Sequence, residues 1–198
     1  MITPYEVSRQ ILPHYLNMKG LHGRGAEVGV AEGYFSECIL KTWDGYLYCV
    51  DAWEDLPGYA EQYPQEENYR SCLARLAPYE GKYEIVRKTS LQAASTFEDE
   101  SLDFVYLDAD HTYQGVLADL EAWYPKVVKG GIFCGDDYGA WPLTAVDFGK
   151  GQHVFGVKKA VDEFFWRLNR NVSIDWMGQW CIPYEGQEFW ARNWRLIK

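Results

Sequence analysis

Apolar residues are grouped along this chain in two kinds of segment. Short apolar runs without helical spacing predict buried strands, and longer stretches with apolar residues three or four positions apart predict helices with one buried face. Strands are predicted at 26–30, 46–50, 83–87, 102–107 and 132–134, with two more at 172–176 and 189–196. Helices are predicted at 3–18, 34–42, 68–76, 114–123 and 156–165, with a short one near Leu91.

Strand-like and helix-like segments alternate nearly to the end of the 198-residue chain. This alternation predicts an α/β fold, with five parallel strands in one sheet and helices on both of its faces. No repeat or flexible linker divides the sequence, so a single domain over residues 1–198 is expected, with 1–20 as a leading helical segment and 21–198 as the core. The connections at 52–65 and 138–155 are long, and such loops at the carboxyl edge of a sheet are usually functional.

The net charge argues against some classes of binding partner, and the cysteines indicate the cellular compartment. A formal net charge of −10 argues against nucleic acids and anionic membrane surfaces, because binding to either needs clusters of Lys and Arg. The five cysteines form no CxxC or CxxH arrangement, which is typical of reduced thiols in a cytosolic protein. The sequence shows no secretory signal pattern and no apolar run of membrane-spanning length. We therefore expect a soluble cytoplasmic protein, and the sign of the charge does not choose its substrate.

Acidic residues follow two of the predicted strands at the point where each strand ends. Asp108 follows the strand at 102–107 with His111 three residues later, and Asp136–Asp137 follows the strand at 132–134. The carboxyl ends of parallel strands meet at a ligand-binding crevice, and clustered carboxylates repel one another unless a cation such as Mg²⁺, Ca²⁺ or Mn²⁺ neutralises them. A histidine there can take a proton from a bound hydroxyl. The alternative is that these residues are helix caps and turn residues, for which Asp is favoured.

A turn of small residues follows the first predicted strand. Gly29, Ala31 and Gly33 would let a ligand lie close to backbone N–H groups at a helix N-terminus, although their spacing departs from the dinucleotide pattern GxGxxG. Asp51 ends the second strand, where a carboxylate can accept both hydroxyls of a ribose. Ser90 follows the third strand and would border an adenine ring. Taken alone, the glycines are also consistent with a tight strand-to-helix turn.

The stretches EVGVAEG at 27–33 and VDAW at 50–53 resemble the two cofactor motifs of class I S-adenosylmethionine-dependent methyltransferases. The resemblance covers nearly the whole chain. It implies a Rossmann-like, mostly parallel seven-stranded sheet with an antiparallel final strand, and S-adenosylmethionine as the cofactor. The residues that it places at the cofactor are Glu27, Gly29, Ala31, Gly33, Tyr34, Asp51, Ala52, Ser90 and Asp108.

Three stretches in the second half, LDADHTY, GGIFCGDDYG and GVKKAVDEFF, resemble the metal-dependent sugar O-methyltransferases typified by macrocin O-methyltransferase. This resemblance implies that Asp108, Asp136 and Asp137 hold Mg²⁺ or Mn²⁺ and that His111 is the general base. The implied acceptor is a hydroxyl of a sugar or glycosylated small molecule. Two alternatives are a catechol-type O-methyltransferase acting on a small aromatic diol and a non-catalytic glycan- or nucleotide-binding protein of the same fold. The oligomeric state is left open, a homo-oligomer included.

Two tryptophans and two lysines are further candidates for ligand contact. Trp53 and Trp141 lie in the two long connections, where their rings can stack on a ligand. Lys158 and Lys159 begin a helix, where they would either steer an anionic acceptor or form a solvated surface.

Overall fold

The computed structural model describes residues 4–54, 64–138, 146–147, 152–153, 156–170, 173–174 and 180–181. The helices are α1 Pro4–Met18, α2 Tyr34–Thr42, α3 Gln65–Leu76, α4 Ser90–Ala94, α5 Tyr113–Trp123 and α6 Val157–Arg167. The strands are β1 Arg24–Val28, β2 Tyr46–Asp51, β3 Tyr83–Arg87, β4 Leu102–Leu107, β5 Val127–Gly135, β6 Val146–Asp147, β7 Gln152–His153, β8 Ser173–Ile174 and β9 Trp180–Cys181.

Seven of these strands form one sheet in the order β3-β2-β1-β4-β5-β9-β8. Strands β1 to β5 pair in parallel, and β9 is antiparallel to both of its neighbours, β5 and β8. The predicted α/β fold, with its mostly parallel seven-stranded sheet and an antiparallel final strand, is therefore confirmed. Among the described residues the last strand, which is antiparallel, is Trp180–Cys181, and the strand predicted at 189–196 lies outside them.

The helices form two groups that cover the two faces of the sheet. Helices α1, α2 and α3 contact one another in sequence, and so do α4, α5 and α6. The chain moves from β1 to β3 in one direction across the sheet and from β3 to β5 in the other. Because parallel crossovers are right-handed, this reversal places the two groups of helices on opposite faces. It also opens a crevice between β1 and β4 at their carboxyl ends.

The core surrounds the central strands, whose side chains are buried on both faces. In β4 every residue except Asp103 is buried. The ring of Trp43 meets that of Phe104 edge-on with 4.9 Å between centroids, and the Trp43 indole N–H donates to the Leu21 carbonyl at 2.6 Å. Helix α6 packs through residues spaced three and four apart, which are Val157, Ala160, Val161, Phe164 and Phe165.

The described residues also show the state of four cysteines and the character of the helices. Cys38, Cys49, Cys72 and Cys134 are free thiols. None of the helices in the described part of the chain has the length and apolar character needed to cross a membrane.

Candidate active site

The carboxyl ends of four adjacent strands bring the predicted site residues to one edge of the sheet. Val28 of β1 lies opposite Val50 of β2 on one side and Leu107 of β4 on the other, and Leu107 lies opposite Gly135 of β5. The acidic residues that follow these positions are therefore neighbours. They border the crevice between β1 and β4, where a ligand of this fold class binds.

Asp51 is tied to the turn after β1 by backbone hydrogen bonds. Its Oδ2 accepts from the N–H groups of Val30 at 2.9 Å and Ala31 at 3.0 Å, and its Oδ1 accepts from Trp53 N–H at 2.8 Å. Three of the roughly four acceptor positions of the carboxylate are thus used within the protein. The ends of β1 and β2 consequently form one connected unit.

The backbone conformation and the packing at position 29 both require glycine. The φ of Gly29 is +93°, and a Cβ there would lie 2.0 Å from the carbonyl oxygen of Asp108. The N–H of Asp108 also donates to the Val28 carbonyl at 2.7 Å. Gly33, with φ +79°, would place a Cβ 3.0 Å from Cys72 Sγ. Both glycines are explained by close packing, and their predicted contact with a ligand stays a prediction.

Two other residues predicted at the cofactor lie in different environments. Glu27 is 1% exposed beneath the turn, where its Oε2 accepts from Ser36 Oγ at 2.5 Å. Tyr34, at the start of α2, is 63% exposed, and the Arg75 guanidinium lies 3.5 Å from the centroid of its ring. Glu27 therefore supports the turn from below, while Tyr34 presents a stacked aromatic ring to solvent. Their direct contacts with a cofactor stay predictions.

Asp108, His111 and Asp137 form the acidic cluster of the site. Each offers one ligand atom, and these three atoms all lie within 4.8 Å of one another. His111 Nδ1 lies 3.2 Å from Asp137 Oδ2, and both side chains are about one-third exposed, at 31% and 32%. Carboxylate oxygens are the ligands that Mg²⁺ and Mn²⁺ prefer, and an imidazole is a typical ligand of transition metals, so the residues present fit a divalent cation.

Asp136 lies below this cluster and is nearly buried. Its Oδ1 accepts from the backbone N–H of Asp137 at 2.9 Å, and its Oδ2 accepts from the Tyr106 hydroxyl at 3.3 Å. Asp137 adopts the left-handed region with φ +60°, and the bond from its N–H to Asp136 helps to hold it there. The described cluster thus contains His111 where the sequence predicts Asp136, and direct ligation by Asp136 stays a prediction.

The prediction that Trp53 stacks on a ligand is wrong. Trp53 is 2% exposed, its indole N–H donates to the Ala31 carbonyl at 2.9 Å, and its ring packs on Tyr69 with 4.9 Å between centroids. The sequence places Trp53 in a loop but does not show that α3 folds over it. Trp141 lies outside the described residues.

The two lysines at the start of α6 make contacts within the protein. Lys158 Nζ donates to the Tyr138 hydroxyl at 3.1 Å and to Asp162 Oδ2 at 2.5 Å. Lys159 Nζ lies 4.3 Å from the centroid of the Tyr113 ring. Both ammonium groups have partners within the protein, which favours the surface interpretation over steering of an anion.

Sequence reasoning missed Asp119, a buried carboxyl on α5. Ser90 Oγ donates to Asp119 Oδ1 at 2.5 Å, and Trp123 Nε1 donates to Ser90 Oγ at 2.9 Å. Burial raises the pKa of Asp119 to about 6, and the charge of Asp110 adds to the increase while the bond from Ser90 opposes it. The signal was present in the sequence, since Asp119 shares the apolar face of α5 with Val116, Leu120 and Trp123.

Asp119 also borders the acidic cluster. A cavity of about 10 Å³, roughly the room of one water molecule, is lined by Asp119 together with Asp108, His111, Asp136 and Val157. The carboxyl that accepts from Ser90 therefore borders the same small cavity as residues of the acidic cluster.

Comparison with known proteins identifies the family. Residues 26–138, more than half of the chain, match a family described as a methyltransferase domain. The uncharacterized protein y4gI of Sinorhizobium fredii is 35% identical over 144 residues, which cover 68% of this chain and 15% of that protein. The chain thus spans about 15% of the length of this curated relative.

Solved structures share the fold at low sequence identity. A protein from Corynebacterium glutamicum superposes with a TM-score of 0.65 at 18% identity, covering 96% of this chain and 85% of that one. The O-methyltransferase TomG of Streptomyces achromogenes, involved in tomaymycin synthesis and solved with S-adenosylmethionine, gives 0.63 at 17% identity, with coverages of 91% and 80%. An O-methyltransferase from Bacillus cereus, solved with S-adenosylhomocysteine, gives 0.59 at 16%, with coverages of 93% and 83%.

Proposed function

We propose, from the premise that this chain belongs to the methyltransferase-domain family, that it is an S-adenosylmethionine-dependent O-methyltransferase that requires a divalent cation. The proposed acceptor is a hydroxyl of a sugar or glycosylated small molecule. The observation that carries this proposal is the convergence of Asp108, His111 and Asp137 within 4.8 Å, at the edge of the sheet where Asp51 holds the turn after β1.

The cofactor would lie across the ends of β1 and β2. Asp51 is half-buried and its carboxylate is held in place by three backbone donors, which leave about one acceptor position for a ribose hydroxyl. Ala52 follows it at the edge of the crevice, and Ser90 lies beyond the end of β3. Gly29 brings this cofactor region directly against the Asp108 backbone.

The metal would be held by Asp108 and Asp137, with Asp136 or His111 completing the protein ligands. When bound, Mg²⁺ or Mn²⁺ lowers the pKa of an acceptor hydroxyl, and S-adenosylmethionine carries the methyl group as a sulfonium. The Asp137 N–H donates to Asp136 Oδ1, and the Asp108 backbone lies directly against Gly29, so the backbone positions that carry the two carboxylates are set relative to the cofactor turn. Such fixed positions favour catalysis, because alignment of the reacting atoms supplies much of the rate.

His111 is the proposed general base. An ionised Asp137 can only accept a hydrogen bond, so in the 3.2 Å contact His111 Nδ1 would carry the proton and donate it to Asp137 Oδ2. In the neutral ring Nε2 is then the basic nitrogen, able to take a proton from a nearby hydroxyl. Asp137 would thus orient the imidazole as well as bind the cation.

The test combines chelation with a screen of acceptors. Turnover should be abolished by excess chelator and restored by Mg²⁺ or Mn²⁺, while binding of S-adenosylhomocysteine measured by calorimetry should persist in chelator. Glycosides should yield a methylated product that mass spectrometry detects. Methylation of catechols alone would replace the sugar acceptor with an aromatic diol. Full activity in excess chelator, with no metal found by elemental analysis, would contradict the metal requirement.

A further inference from the structure

The Ser90 hydroxyl forms hydrogen bonds with two residues of α5, and the chemistry of these residues determines which bond Ser90 donates and which it accepts. A hydroxyl has one hydrogen to donate and two lone pairs to accept with. An ionised carboxylate only accepts, so the bond to Asp119 Oδ1 at 2.5 Å uses the hydrogen of Ser90. An indole N–H only donates, so the bond from Trp123 Nε1 at 2.9 Å uses one lone pair. Among the described residues these are the two hydrogen bonds of that hydroxyl, and they leave it one lone pair.

The position of Ser90 matters because it follows β3, the strand that pairs with the end of β2 at the proposed ribose-binding residue. Asp51, at the end of β2, is paired in register with Arg87, at the end of β3, and Ser90 is three residues further along. Ser90 is half-buried and opens α4, with Thr89 as the N-cap. A nucleoside whose ribose binds Asp51 therefore has its base on the side of the crevice where Ser90 lies.

We propose that Asp119 is a positioning residue that leaves Ser90 able only to accept, so that the site selects the 6-amino group of adenine over a 6-oxo group. The inference rests on the proposed cofactor. An amino group can donate to the remaining lone pair of Ser90, whereas a carbonyl oxygen would face that lone pair without a hydrogen between them. A polar site left unpaired in this way discriminates strongly between ligands of equal size.

Burial of Asp119 supports this assignment. The carboxyl is 5% exposed, so water does not compete freely for the Ser90 hydrogen. Its pKa, raised to about 6 by burial, still leaves it ionised and purely an acceptor at pH 8. The short Ser90–Asp119 distance of 2.5 Å is typical of an O–H group donating to a carboxylate.

The experiment compares two ligands by calorimetry at pH 8, namely S-adenosylhomocysteine and its 6-oxo analogue S-inosylhomocysteine. The wild-type protein should prefer the adenine form by at least about tenfold. Asp119→Ala frees the hydrogen of Ser90 to donate to an oxo group, so the preference should fall to about threefold or less. Ser90→Ala should lower it similarly, and the double variant should add nothing, because Asp119 acts through Ser90.

Trp123→Phe is the matched control. It removes the other hydrogen bond of Ser90 but leaves Asp119 as the acceptor, so the preference for adenine should persist. An unchanged preference in Asp119→Ala, or additive effects in the double variant, would overturn the proposal. Should Asp119→Ala fail to fold, Ser90→Ala decides alone, since a preference retained without the hydroxyl also overturns it.

The outcomes for the wild-type protein separate this inference from the proposed function. Equal binding of the two ligands would overturn the role of Asp119 while leaving the cofactor proposal intact. Binding of neither ligand would overturn both.

Discussion

Carboxylates at the carboxyl edge of the sheet are held in place by donors from the protein itself. Asp51, Asp119 and Asp136 each accept at least one hydrogen bond from a neighbouring backbone or side-chain group. A side chain that is already fixed loses little conformational freedom when a ligand binds, so more of the interaction energy appears as affinity. Substitutions of these residues should therefore affect binding and stability together, and each test needs a readout that separates them.

Asp51→Ala should weaken binding of S-adenosylhomocysteine by at least about tenfold, which corresponds to about 1.4 kcal/mol. The proposed ribose acceptor is lost, and the backbone N–H groups of Val30 and Ala31 lose their partner. Asp103→Ala is the control, because Asp103 also accepts a backbone N–H, from Gly23 at 2.6 Å, but lies in β4 away from its carboxyl end. Equal affinity of Asp51→Ala and wild-type protein by calorimetry would place the cofactor elsewhere.

His111→Ala should lower kcat by roughly 10² to 10⁴-fold if His111 is the base, while the affinities for cofactor and metal stay nearly intact. The structure makes this a sharp test, because His111 is also one of the three candidate ligand residues. A loss of metal affinity with full recovery of turnover at saturating metal would identify it as a ligand instead. His14→Ala, on an exposed position of α1, is the control and should change neither quantity.

Asp119→Asn should increase the free energy of unfolding at pH 8, and the increase should be smaller at acidic pH. The folded-state pKa of Asp119 is about 6, above its ordinary value of 3.8. Because the folded protein binds the Asp119 proton more tightly than the unfolded chain does, protonation of Asp119 stabilises the fold. This contribution is fully present below pH 3.8 and is lost as the pH rises through 6. A neutral amide avoids that loss, so unfolding by denaturant should show a gain of about 1–3 kcal/mol at pH 8 that narrows towards pH 4. A gain of equal size at both pH values would contradict this account.

At the scale of elements, the start of α6 is coupled to the loop that carries His111. The N–H of Gly156 donates to the His111 carbonyl at 2.7 Å, and a Cβ on Gly156 would lie 2.3 Å from the backbone nitrogen of Tyr113. Backbone atoms cannot yield as a flexible side chain does, so α6 and the loop must separate to admit a methyl group. The position of His111 therefore depends on where α6 begins.

Gly156→Ala should accordingly destabilise the protein by about 1–3 kcal/mol and lower kcat more than cofactor affinity. Thermal unfolding and steady-state kinetics measure the two effects. Gly20→Ala is the control, since Gly20 has φ +70° but nothing within 4 Å of an added Cβ, and only stability should fall there. Unchanged kcat in Gly156→Ala would show that the loop tolerates movement of α6.

Elements with uninterrupted apolar spacing could be predicted to the residue, as α2, β3 and β4 were. Several strand boundaries were wrong, and two of the differences have a clear local reason. β5 begins five residues earlier than predicted, because the exposed Lys129 and Gly130 interrupt its apolar run. β1 ends at Val28, since Gly29 turns into the left-handed region with φ +93°. The hairpin of β6 and β7 has strands of two residues, too short to leave a periodic pattern.

The site was only partly predictable, because strand ends follow from the pattern but side-chain directions do not. The sequence placed Asp51, Asp108 and Asp137 at one edge, and the structure brings their strands together there. It could not show that Trp53 turns inward beneath α3 or that Asp136 faces Tyr106. Those directions depend on which helix or strand lies against each side chain, a property of the assembled fold.

At the scale of the whole molecule, a bound cation should act as a stabilising ligand. The chain carries a formal charge of −10, and the proposed metal site adds local repulsion between carboxylates in the folded state. Mg²⁺ at 100 times its Kd should stabilise the fold by about 2.7 kcal/mol, raising Tm in a concentration-dependent way. Asp108→Asn should abolish that increase, whereas Asp103→Asn should retain it. An increase in Tm that survives in Asp108→Asn would indicate binding at another site.

The missing side chain of Gly29 has a consequence beyond the turn in which it lies. A Cβ would meet the Asp108 carbonyl oxygen at 2.0 Å, so this contact sets how closely the β1 turn approaches the β4 loop. In the proposed reaction, the turn after β1 holds the methyl donor, and the loop after β4 holds the hydroxyl oxygen that receives the methyl group. Because Gly29 has no side chain, the two segments that would hold the reactants can lie in direct contact. A methyl group inserted there would lengthen the path of the transferred carbon, although every side chain of the site would still be present.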